Sequence, residues 1–354
     1  MLSVILVDNG SSRKTLKTSL QYIRKGTPAS EVLVIAPEVI GDEVSISTIG
    51  TTQAAALNQA IALAKGDVIV LLDGRINYSA QQIEELLGAM QDLEPNSIVH
   101  TPIQVGGERI ELPEISPEDL VPTISSTALW PVAAIGIHRN VLSQINKLEG
   151  DEYSQIIAGL IVRAVCENTA LISSDYLLKT EDPQVLEACR PSNSIRAKLL
   201  SLAVNECNIE DLFPQHAWDS FEEESAAACY HTLAAIFIRF GDIESAKECL
   251  EFSDRLEDSP RSTALKALIS LERGETLGAV ANLVSSLQQY EVRKKEAHYL
   301  SITPKDIQSV TSNLNRGLEA LNQRNNQSAA EHFACAVFDF DSFYREIGVD
   351  RLLG

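Results

Sequence analysis

Runs of consecutive apolar residues alternate with segments of helical periodicity through residues 1–90. The apolar runs predict buried strands at 3–7 (SVILV), 31–35 (EVLVI) and 68–72 (VIVLL), and 46–49 is a candidate for a short strand, the third along the chain. The alanine-rich segment 51–65 predicts a helix that Gly66 stops, and Ser79 with Gln82 predicts the capping box of another helix. Strands that are apolar throughout, rather than at alternate positions, are typical of sheets covered on both sides. The pattern therefore predicts an α/β domain with a mostly parallel sheet and helices on both faces.

From residue 190 onwards the strand pattern fades, and a helical pattern with an internal repeat replaces it. Ala234, Gly241, Ala246, Leu250 and Ser253 recur as Ala267, Gly274, Ala279, Leu283 and Ser286, each shifted by 33 residues (274 − 241). A weaker third copy contains Gly317, Ala329, Phe333 and Ala336. Small residues let antiparallel helices pack closely, and a glycine can end the first helix of a pair in a left-handed turn. The period and the small residues resemble the tetratricopeptide repeat, although the early Trp of that motif is missing.

Together these patterns predict three parts of the chain. An α/β domain covers 1–185, a helical linker region covers 186–224, and an all-α domain of tetratricopeptide-like helical repeats covers 225–354. A chain of 354 residues is long enough for two domains with separate cores.

Charge and cysteine content restrict the partners and the location that we expect. The formal net charge of −20 disfavours nucleic acid and anionic lipid, because both are bound by clustered Lys and Arg. The N-terminus lacks the basic start of a signal peptide, and no apolar run approaches the roughly 18 residues of a membrane span. The six cysteines show no C-x-x-C spacing, so we expect reduced, mostly buried thiols in a cytoplasmic protein.

Polar residues follow the first and the fourth predicted strands. Asp8 and Asn9 come directly after SVILV, whereas Asp73, Gly74 and Arg75 come after VIVLL. In open α/β sheets, ligands bind in the crevice beyond the carboxyl ends of the strands. We therefore expect these side chains to converge on one crevice.

The stretch 51–74 (TTQAAALNQAIALAKGDVIVLLDG) resembles the family-two inverting glycosyltransferases of the A-type fold. It has a small-residue helix with an inner Asn58, then Lys-Gly-Asp, an apolar strand and the first residue of an Asp-x-Asp motif. A weaker resemblance covers 135–163, where Asp151 and Glu152 stand in the place of the family's base motif. The resemblance implies that one of these two acids is the catalytic base. It also implies a site for a nucleotide-diphospho-sugar, comprising Asp8, Asn9, Asn58, Asp73 and Arg75.

In that family a divalent cation, Mg²⁺ or Mn²⁺, is held by Asp-x-Asp and neutralises the leaving diphosphate. Asp73 matches the first motif position, but Arg75 occupies the second, so one carboxylate of the metal site is missing. A second departure is Ala36-Pro37, where the family usually has an Asp that contacts the base. Two alternatives follow: Arg75 contacts the diphosphate in place of the ion, or it pairs with Asp73 and marks an inactive site.

Trp130 is the candidate platform on which an acceptor sugar would stack. The favoured interpretation is an inverting transferase that moves a sugar from a nucleotide donor to a protein or soluble glycan presented by the repeats. The alternative is a catalytically degenerate, transferase-like scaffold that acts through protein–protein interaction. A Rossmann dinucleotide site is disfavoured, because no G-x-G-x-x-G follows the first strand.

Overall fold

A computed structural model describes residues 1–26, 31–40, 44–91, 93–112, 115–126, 129–130, 132–145, 147–216, 218–219, 222–256, 259–293 and 304–338. The chain divides into two compact units, Met1–Leu212 and Phe213–Gly354. The end of the predicted repeat domain, 339–354, lies outside the described residues.

The first unit is an α/β structure. Its strands are β1 (Leu2–Val7), β2 (Glu31–Ala36), β3 (Val44–Ser47), β4 (Val68–Asp73), β5 (Ser97–His100), β6 (Ile103–Val105), β7 (Glu108–Ile110), β8 (Ala134–His138), β9 (Ala170–Ser173) and β10 (Leu178–Thr180). Its helices are α1 (Arg13–Gly26), α2 (Gln53–Leu63), α3 (Ala80–Ala89), α4 (Pro117–Ser125), α5 (Arg139–Gln144), α6 (Tyr153–Cys166), α7 (Pro183–Ala188), α8 (Asn193–Glu206) and α9 (Ile209–Leu212).

Seven strands form one sheet in the order β3-β2-β1-β4-β8-β5-β9. Neighbouring strands run parallel except at β8, which is antiparallel to both β4 and β5. The sheet is therefore mostly parallel, as predicted. Every residue of β1 and of β4 is buried, as expected for central strands covered on both faces.

The structure confirms the elements that the sequence predicts in this part of the chain. The four predicted strands correspond to β1, β2, β3 and β4, although β3 begins and ends two residues before the predicted 46–49, and the alanine-rich helix corresponds to α2. Thr52 caps α2 by accepting a hydrogen bond from the backbone N–H of Ala55. Both hydrogen bonds of the capping box between Ser79 and Gln82 are present at the start of α3.

Two features of the first unit differ from the predictions. Helices α7, α8 and α9 belong to this unit rather than to a separate linker, because α8 packs on α4 and α6. Cys166 and Cys207 form a disulfide, so the expectation that all six cysteines are reduced is wrong. The two residues lie close together because each is at the C-terminal end of a helix, Cys166 at the end of α6 and Cys207 directly after α8.

The second unit is helical throughout its described residues. Its helices are α10 (Glu222–Phe240), α11 (Ile243–Leu256), α12 (Pro260–Glu272), α13 (Thr276–Arg293), α14 (Pro304–Asn322) and α15 (Asn326–Phe338). Consecutive helices pack as the pairs α10–α11, α12–α13 and α14–α15.

One turn geometry joins the helices of each pair. Gly241, Gly274 and Arg324 all have positive φ angles, of 79°, 74° and 60°. In each turn the next residue donates its backbone N–H to the carbonyl five positions earlier, as Asp242 does to Phe237. A left-handed residue with this hydrogen bond is the usual C-terminal cap of a helix. In the third pair Arg324 adopts the conformation that glycine adopts in the first two.

Equivalent positions of the first two pairs also share a buried hydrogen bond. The Ser253 hydroxyl donates to the Ala227 carbonyl over 3.4 Å, and the Ser286 hydroxyl donates to the Pro260 carbonyl over 2.7 Å. Both members of this contact are displaced by 33 residues (286 − 253 and 260 − 227). The small and apolar positions predicted from the sequence are all buried: Ala234, Ala246, Leu250, Ala267, Ala279, Leu283, Ala329, Phe333 and Ala336.

Among the described residues, no helix combines the length and the apolar character that crossing a membrane requires.

Candidate active site

A cleft of about 810 Å³ opens beside the loops that follow β1 and β4. Its lining includes Asp8, Asn9, Arg75, Asp151 and Glu152, which the sequence analysis assigned to the candidate site. The register of the parallel pair β1 and β4 places Val7 opposite Asp73, so the polar residues after both strands emerge side by side. The structure therefore places Asp8, Asn9 and Arg75 on one crevice, whereas Asp73, which was expected there as well, does not line it.

Asp73 lies beneath this cleft, with only 1% of its surface exposed. Its Oδ1 accepts hydrogen bonds from the backbone N–H and the Nε of Arg75, at 3.0 and 3.1 Å. Its Oδ2 accepts from the Nε of Arg75 at 3.0 Å and also from Nη2. The pair is a side-on, bidentate ion pair, in which the buried carboxylate fixes the plane of the guanidinium.

The ion pair extends into a chain of side-chain hydrogen bonds. Nδ2 of Asn9 donates to Oδ1 of Asp73 over 3.0 Å, and Nε2 of Gln53 donates to Oδ1 of Asn9. These contacts join the loop after β1, the start of α2 and the end of β4. Burial lowers the pKa of Arg75, but the hydrogen bond and the charge of Asp73 raise it overall, so the guanidinium stays charged.

Gly74 allows the loop after β4 to lie against β1. Its N–H donates to the Val7 carbonyl over 2.7 Å. A Cβ at this position would lie 2.6 Å from that carbonyl oxygen and 2.5 Å from a methyl carbon of Leu16. Any larger residue would displace the loop, so the glycine between Asp73 and Arg75 is required by close packing.

Asp8 shapes the loop that follows β1. Its Oδ1 accepts hydrogen bonds from the backbone N–H groups of Gly10 and Ser11, at 3.0 and 2.9 Å, and from the Ser11 hydroxyl. This arrangement is an Asx-type turn, which holds the loop at the rim of the cleft. Gly10 completes the loop with a φ of 89°.

Asp151 and Glu152 lie on the cleft at the N-terminal end of α6. Both side chains are exposed, and Glu152 occupies the N-cap position without capping the helix through its carboxylate. The Asp151 carboxylate accepts a hydrogen bond from Nζ of Lys198, on α8, over 3.3 Å. The Glu152 carboxylate is thus not engaged in helix capping and is available to act on a bound molecule.

Tyr153 also lines the cleft, although it is 97% buried, with 3% of its surface exposed. Among the described residues its hydroxyl has no hydrogen-bond partner. Burial, and after it the charge of Asp73, raises the pKa of this hydroxyl well above its usual value. The hydroxyl therefore stays protonated, and its oxygen is buried rather than open to the cleft.

Two sequence-based assignments are corrected by the structure. Asn58 does not line the cleft: its Nδ2 donates to the Leu148 carbonyl over 2.8 Å, and its Oδ1 accepts from the Leu148 N–H over 2.9 Å. Both ends of its amide are used in holding the chain before Asp151. Trp130 is 1% exposed, so its ring has no face on which a sugar could stack, and it is a core residue.

Sequence reasoning missed Gln53, Tyr153, Arg190 and Lys198, which line the cleft as well. Tyr153 follows the Asp151-Glu152 pair directly, so its position was the one available signal. Arg190 and Lys198 lie in a region that the sequence analysis assigned to a linker. Their place in the cleft depends on how α8 packs on α6, which no local pattern reveals.

Residues 2–131 match the family model described as Glycosyl transferase family 2. No curated protein matches the chain.

Three solved structures illustrate the structural similarity. Glucosyl-3-phosphoglycerate synthase from Mycobacterium tuberculosis, in complex with Mn²⁺, uridine diphosphate and phosphoglyceric acid, is 17% identical, with a TM-score of 0.41 over 58% of this chain and 78% of that one. TarS (1–349) of S. aureus is 13% identical, with a TM-score of 0.40 over 86% and 95%. The mannosyltransferase PcManGT from Pyrobaculum calidifontis, in complex with GDP-Man and Mn²⁺, is 14% identical, with a TM-score of 0.38 over 80% and 86%.

The family match runs from β1 to the loop before β8 and covers one side of the cleft, formed by the loops after β1, β3 and β4 and the start of α2. It includes Asp8, Asn9, Asp73 and Arg75, and it ends before Asp151 and Glu152. The N-terminal part of the chain thus has an α/β fold with a mostly parallel sheet, and residues 2–131 of it are similar to the glycosyl transferase family 2.

Proposed function

We propose that this protein transfers a sugar from a nucleotide-diphospho-sugar to an acceptor hydroxyl, with inversion at the sugar carbon. The observation that carries the proposal is the common cleft: the loops after β1 and β4 bring Asp8, Asn9 and Arg75 to the same space as Asp151 and Glu152. A cation on one side and carboxylates on the other are the two requirements of the reaction. The cation stabilises the leaving diphosphate, and a carboxylate deprotonates the attacking hydroxyl.

In the proposed mechanism each residue acts at a defined point. Arg75 donates N–H groups to the diphosphate as negative charge develops on it. Asp73 is a positioning residue, because it touches Arg75 rather than the substrate. Glu152 or Asp151 accepts the proton of the acceptor hydroxyl.

The second unit is proposed to consist of tetratricopeptide-like repeats that present the acceptor or bind a protein partner. The equivalent turns at Gly241, Gly274 and Arg324 and the matched hydrogen bonds of Ser253 and Ser286 support this assignment. Stacked helix pairs offer extended surfaces that suit a polypeptide or a soluble glycan.

A degenerate, transferase-like scaffold is the second candidate. The observation that favours it is the ion pair itself, since Arg75 neutralises the carboxylate that matches the first position of the metal motif. A scaffold of this kind would bind protein partners and would show no affinity for nucleotide sugars.

The test is a panel of UDP- and GDP-sugars, measured by calorimetry for binding and by nucleotide release for turnover. We expect micromolar binding of at least one donor by the wild-type protein. Asp73→Ala is expected to lower turnover by at least about a hundredfold, because the guanidinium loses the carboxylate that orients it. Asp67→Ala is the matched control, since Asp67 is exposed and pairs with the N-terminal amine at the other end of β4. Failure of every donor to bind would leave the scaffold as the function, and full turnover by Asp73→Ala would remove Asp73 from the mechanism.

A further inference from the structure

The residues of the cleft do not fit a divalent cation. Such an ion needs carboxylate or carbonyl oxygens that are free to coordinate it. Both carboxylate oxygens of Asp73 accept hydrogen bonds from Arg75, and Oδ1 accepts from Asn9 as well. Among the described residues, no group of three or more His, Cys, Asp or Glu side chains is arranged to hold a metal ion.

We infer that the Arg75 guanidinium occupies the role of the cation, so that the cleft binds the diphosphate of its nucleotide without a metal. This inference rests on the proposed function, because it concerns how the same site recognises its donor. The ion pair with Asp73 uses Nε and Nη2 of Arg75. Nη1 makes no hydrogen bond within the part of the chain that the structure describes, and the residue lines the cleft.

The surroundings of Arg75 explain how one guanidinium can replace an ion. Its side chain is 18% exposed, so water screens its charge less than at an open surface. The hydrogen bonds of Asn9 and Gln53 hold Asp73 and thereby fix the guanidinium before any ligand arrives. A pre-oriented guanidinium matches the geometry of phosphate oxygens, and little side-chain freedom is lost when they bind.

Two further cations add to the positive charge of the cleft. Arg190 and Lys198 line it, and each also lies near a carboxylate, Glu187 at 3.8 Å and Asp151 at 3.3 Å. Arg75 differs from both because its partner is buried and fixed, whereas theirs are exposed. The diphosphate is therefore expected to depend on Arg75 more strongly than on either of the other two.

The first experiment uses the wild-type full-length chain. UDP and GDP are titrated by calorimetry in a buffer with EDTA and in a buffer with Mn²⁺. We expect the Kd of the nucleotide that binds to agree between the two buffers within about twofold. A Kd that weakens by about tenfold or more in EDTA would overturn the inference and leave the proposed function intact. Absence of binding in both buffers would overturn the proposed function and this inference with it.

The second experiment restores the acidic motif with Arg75→Asp. We expect nucleotide binding in EDTA to weaken by at least about tenfold, because the cation is replaced by a carboxylate beside Asp73. We also expect Mn²⁺ to bind this variant, measured by the loss of the free-ion paramagnetic resonance signal, and not the wild type. Unchanged nucleotide affinity of the variant in EDTA would overturn the inference.

Two further variants separate this effect from a loss of folding. Arg75→Lys keeps the positive charge but loses the planar guanidinium, which can donate two parallel hydrogen bonds to phosphate. We expect this variant to bind nucleotide in EDTA more weakly than wild type and more tightly than Arg75→Asp. Arg109→Asp is the control for a change of charge, since Arg109 is exposed on β7, pairs with Glu111 and does not line the cleft. We expect its nucleotide affinity in EDTA to equal that of the wild type.

Discussion

Asn58 and Leu148 are joined by two hydrogen bonds between the side-chain amide of one and the backbone of the other, 2.8 and 2.9 Å long. The contact spans 90 residues of sequence and ties α2 to the segment that leads into Asp151 and Glu152. Asn58, which the family resemblance assigned to the nucleotide site, therefore holds the backbone segment that precedes the two candidate bases, Asp151 and Glu152.

Asn58→Leu should destabilise the first unit by about 2 kcal/mol, because both polar groups of Leu148 lose their partner while the side-chain volume is nearly kept. Urea denaturation would measure this loss. Gln59→Leu, at the neighbouring exposed position of α2, is the control and should change stability little. The nucleotide Kd should stay within about twofold of wild type, because Asn58 does not line the cleft. A large loss of nucleotide affinity would instead return Asn58 to the binding site.

Glu152→Gln should lower turnover by about 10² to 10⁴-fold if Glu152 removes the proton of the acceptor, because the amide cannot accept it. Asp151→Asn should have the smaller effect, since the Asp151 carboxylate already accepts a hydrogen bond from Lys198. Neither change should alter the affinity for the free nucleoside diphosphate, which carries no acceptor hydroxyl. Single-turnover kinetics with a saturating donor would measure both variants. A larger loss for Asp151→Asn would reverse the assignment.

The sequence predicts β1, β2 and β4 because each contains a continuous apolar run, which is typical of a strand buried inside a sheet. It also predicts that Asp8, Asn9 and Arg75 meet, because parallel neighbours end at the same edge of a sheet. The antiparallel direction of β8 was not predictable in this way, since an apolar strand is equally buried in either direction. Asn58 and Trp130 were assigned by residue type alone, and tertiary packing decided against both roles.

The disulfide lies beyond what the spacing of the cysteines could reveal. Cys166 and Cys207 are 41 residues apart, in two helical segments, and they meet because α6 and α8 pack against each other. Replacing both by serine should destabilise the first unit by up to about 4 kcal/mol, from the loop entropy that the bond removes from the unfolded chain. A reducing agent should lower the urea midpoint of the wild type and leave that of the double variant unchanged. Equal midpoints of the wild type with and without reductant would show that the two thiols are not joined.

His100 predicts a loss of stability in mild acid. Burial lowers its pKa from about 6.5 to about 4. Between these pH values the unfolded chain binds a proton that the folded one does not, so the free energy of unfolding falls as the pH drops from 6.5 to 4. The loss at this one site amounts to about 3 kcal/mol and levels off below pH 4. His100→Leu should remove this dependence, whereas His332→Leu, in the second unit and without such burial, should keep it. Urea denaturation at a series of pH values would measure both, and an unchanged slope for His100→Leu would contradict the prediction.

In the third helix pair, Gly317 and Phe333 occupy the positions that Ala234 and Leu250 occupy in the first pair. In the second pair, Ala267 and Leu283 occupy them. The two residues are 16 positions apart in every pair (333 − 317, 250 − 234 and 283 − 267), and all six residues are buried. A Cβ on Gly317 would lie 2.3 Å from a ring carbon of Phe333, so the larger ring requires the smaller partner.

Gly317→Ala should therefore destabilise the second unit by about 1 to 3 kcal/mol, although alanine is the better helix former. Adding Phe333→Leu to Gly317→Ala recreates the alanine–leucine combination of the other two pairs. The double variant should recover most of the stability that the first change removes, and a double-mutant cycle in urea would measure the coupling between the two sites. Gly88→Ala is the control, because a Cβ at that helical position in α3 meets no atom within 4 Å and should stabilise slightly. Additive effects of Gly317→Ala and Phe333→Leu would mean that the two positions are not the equivalents of Ala234 and Leu250, and the structural basis for treating α14 and α15 as a third repeat would be lost.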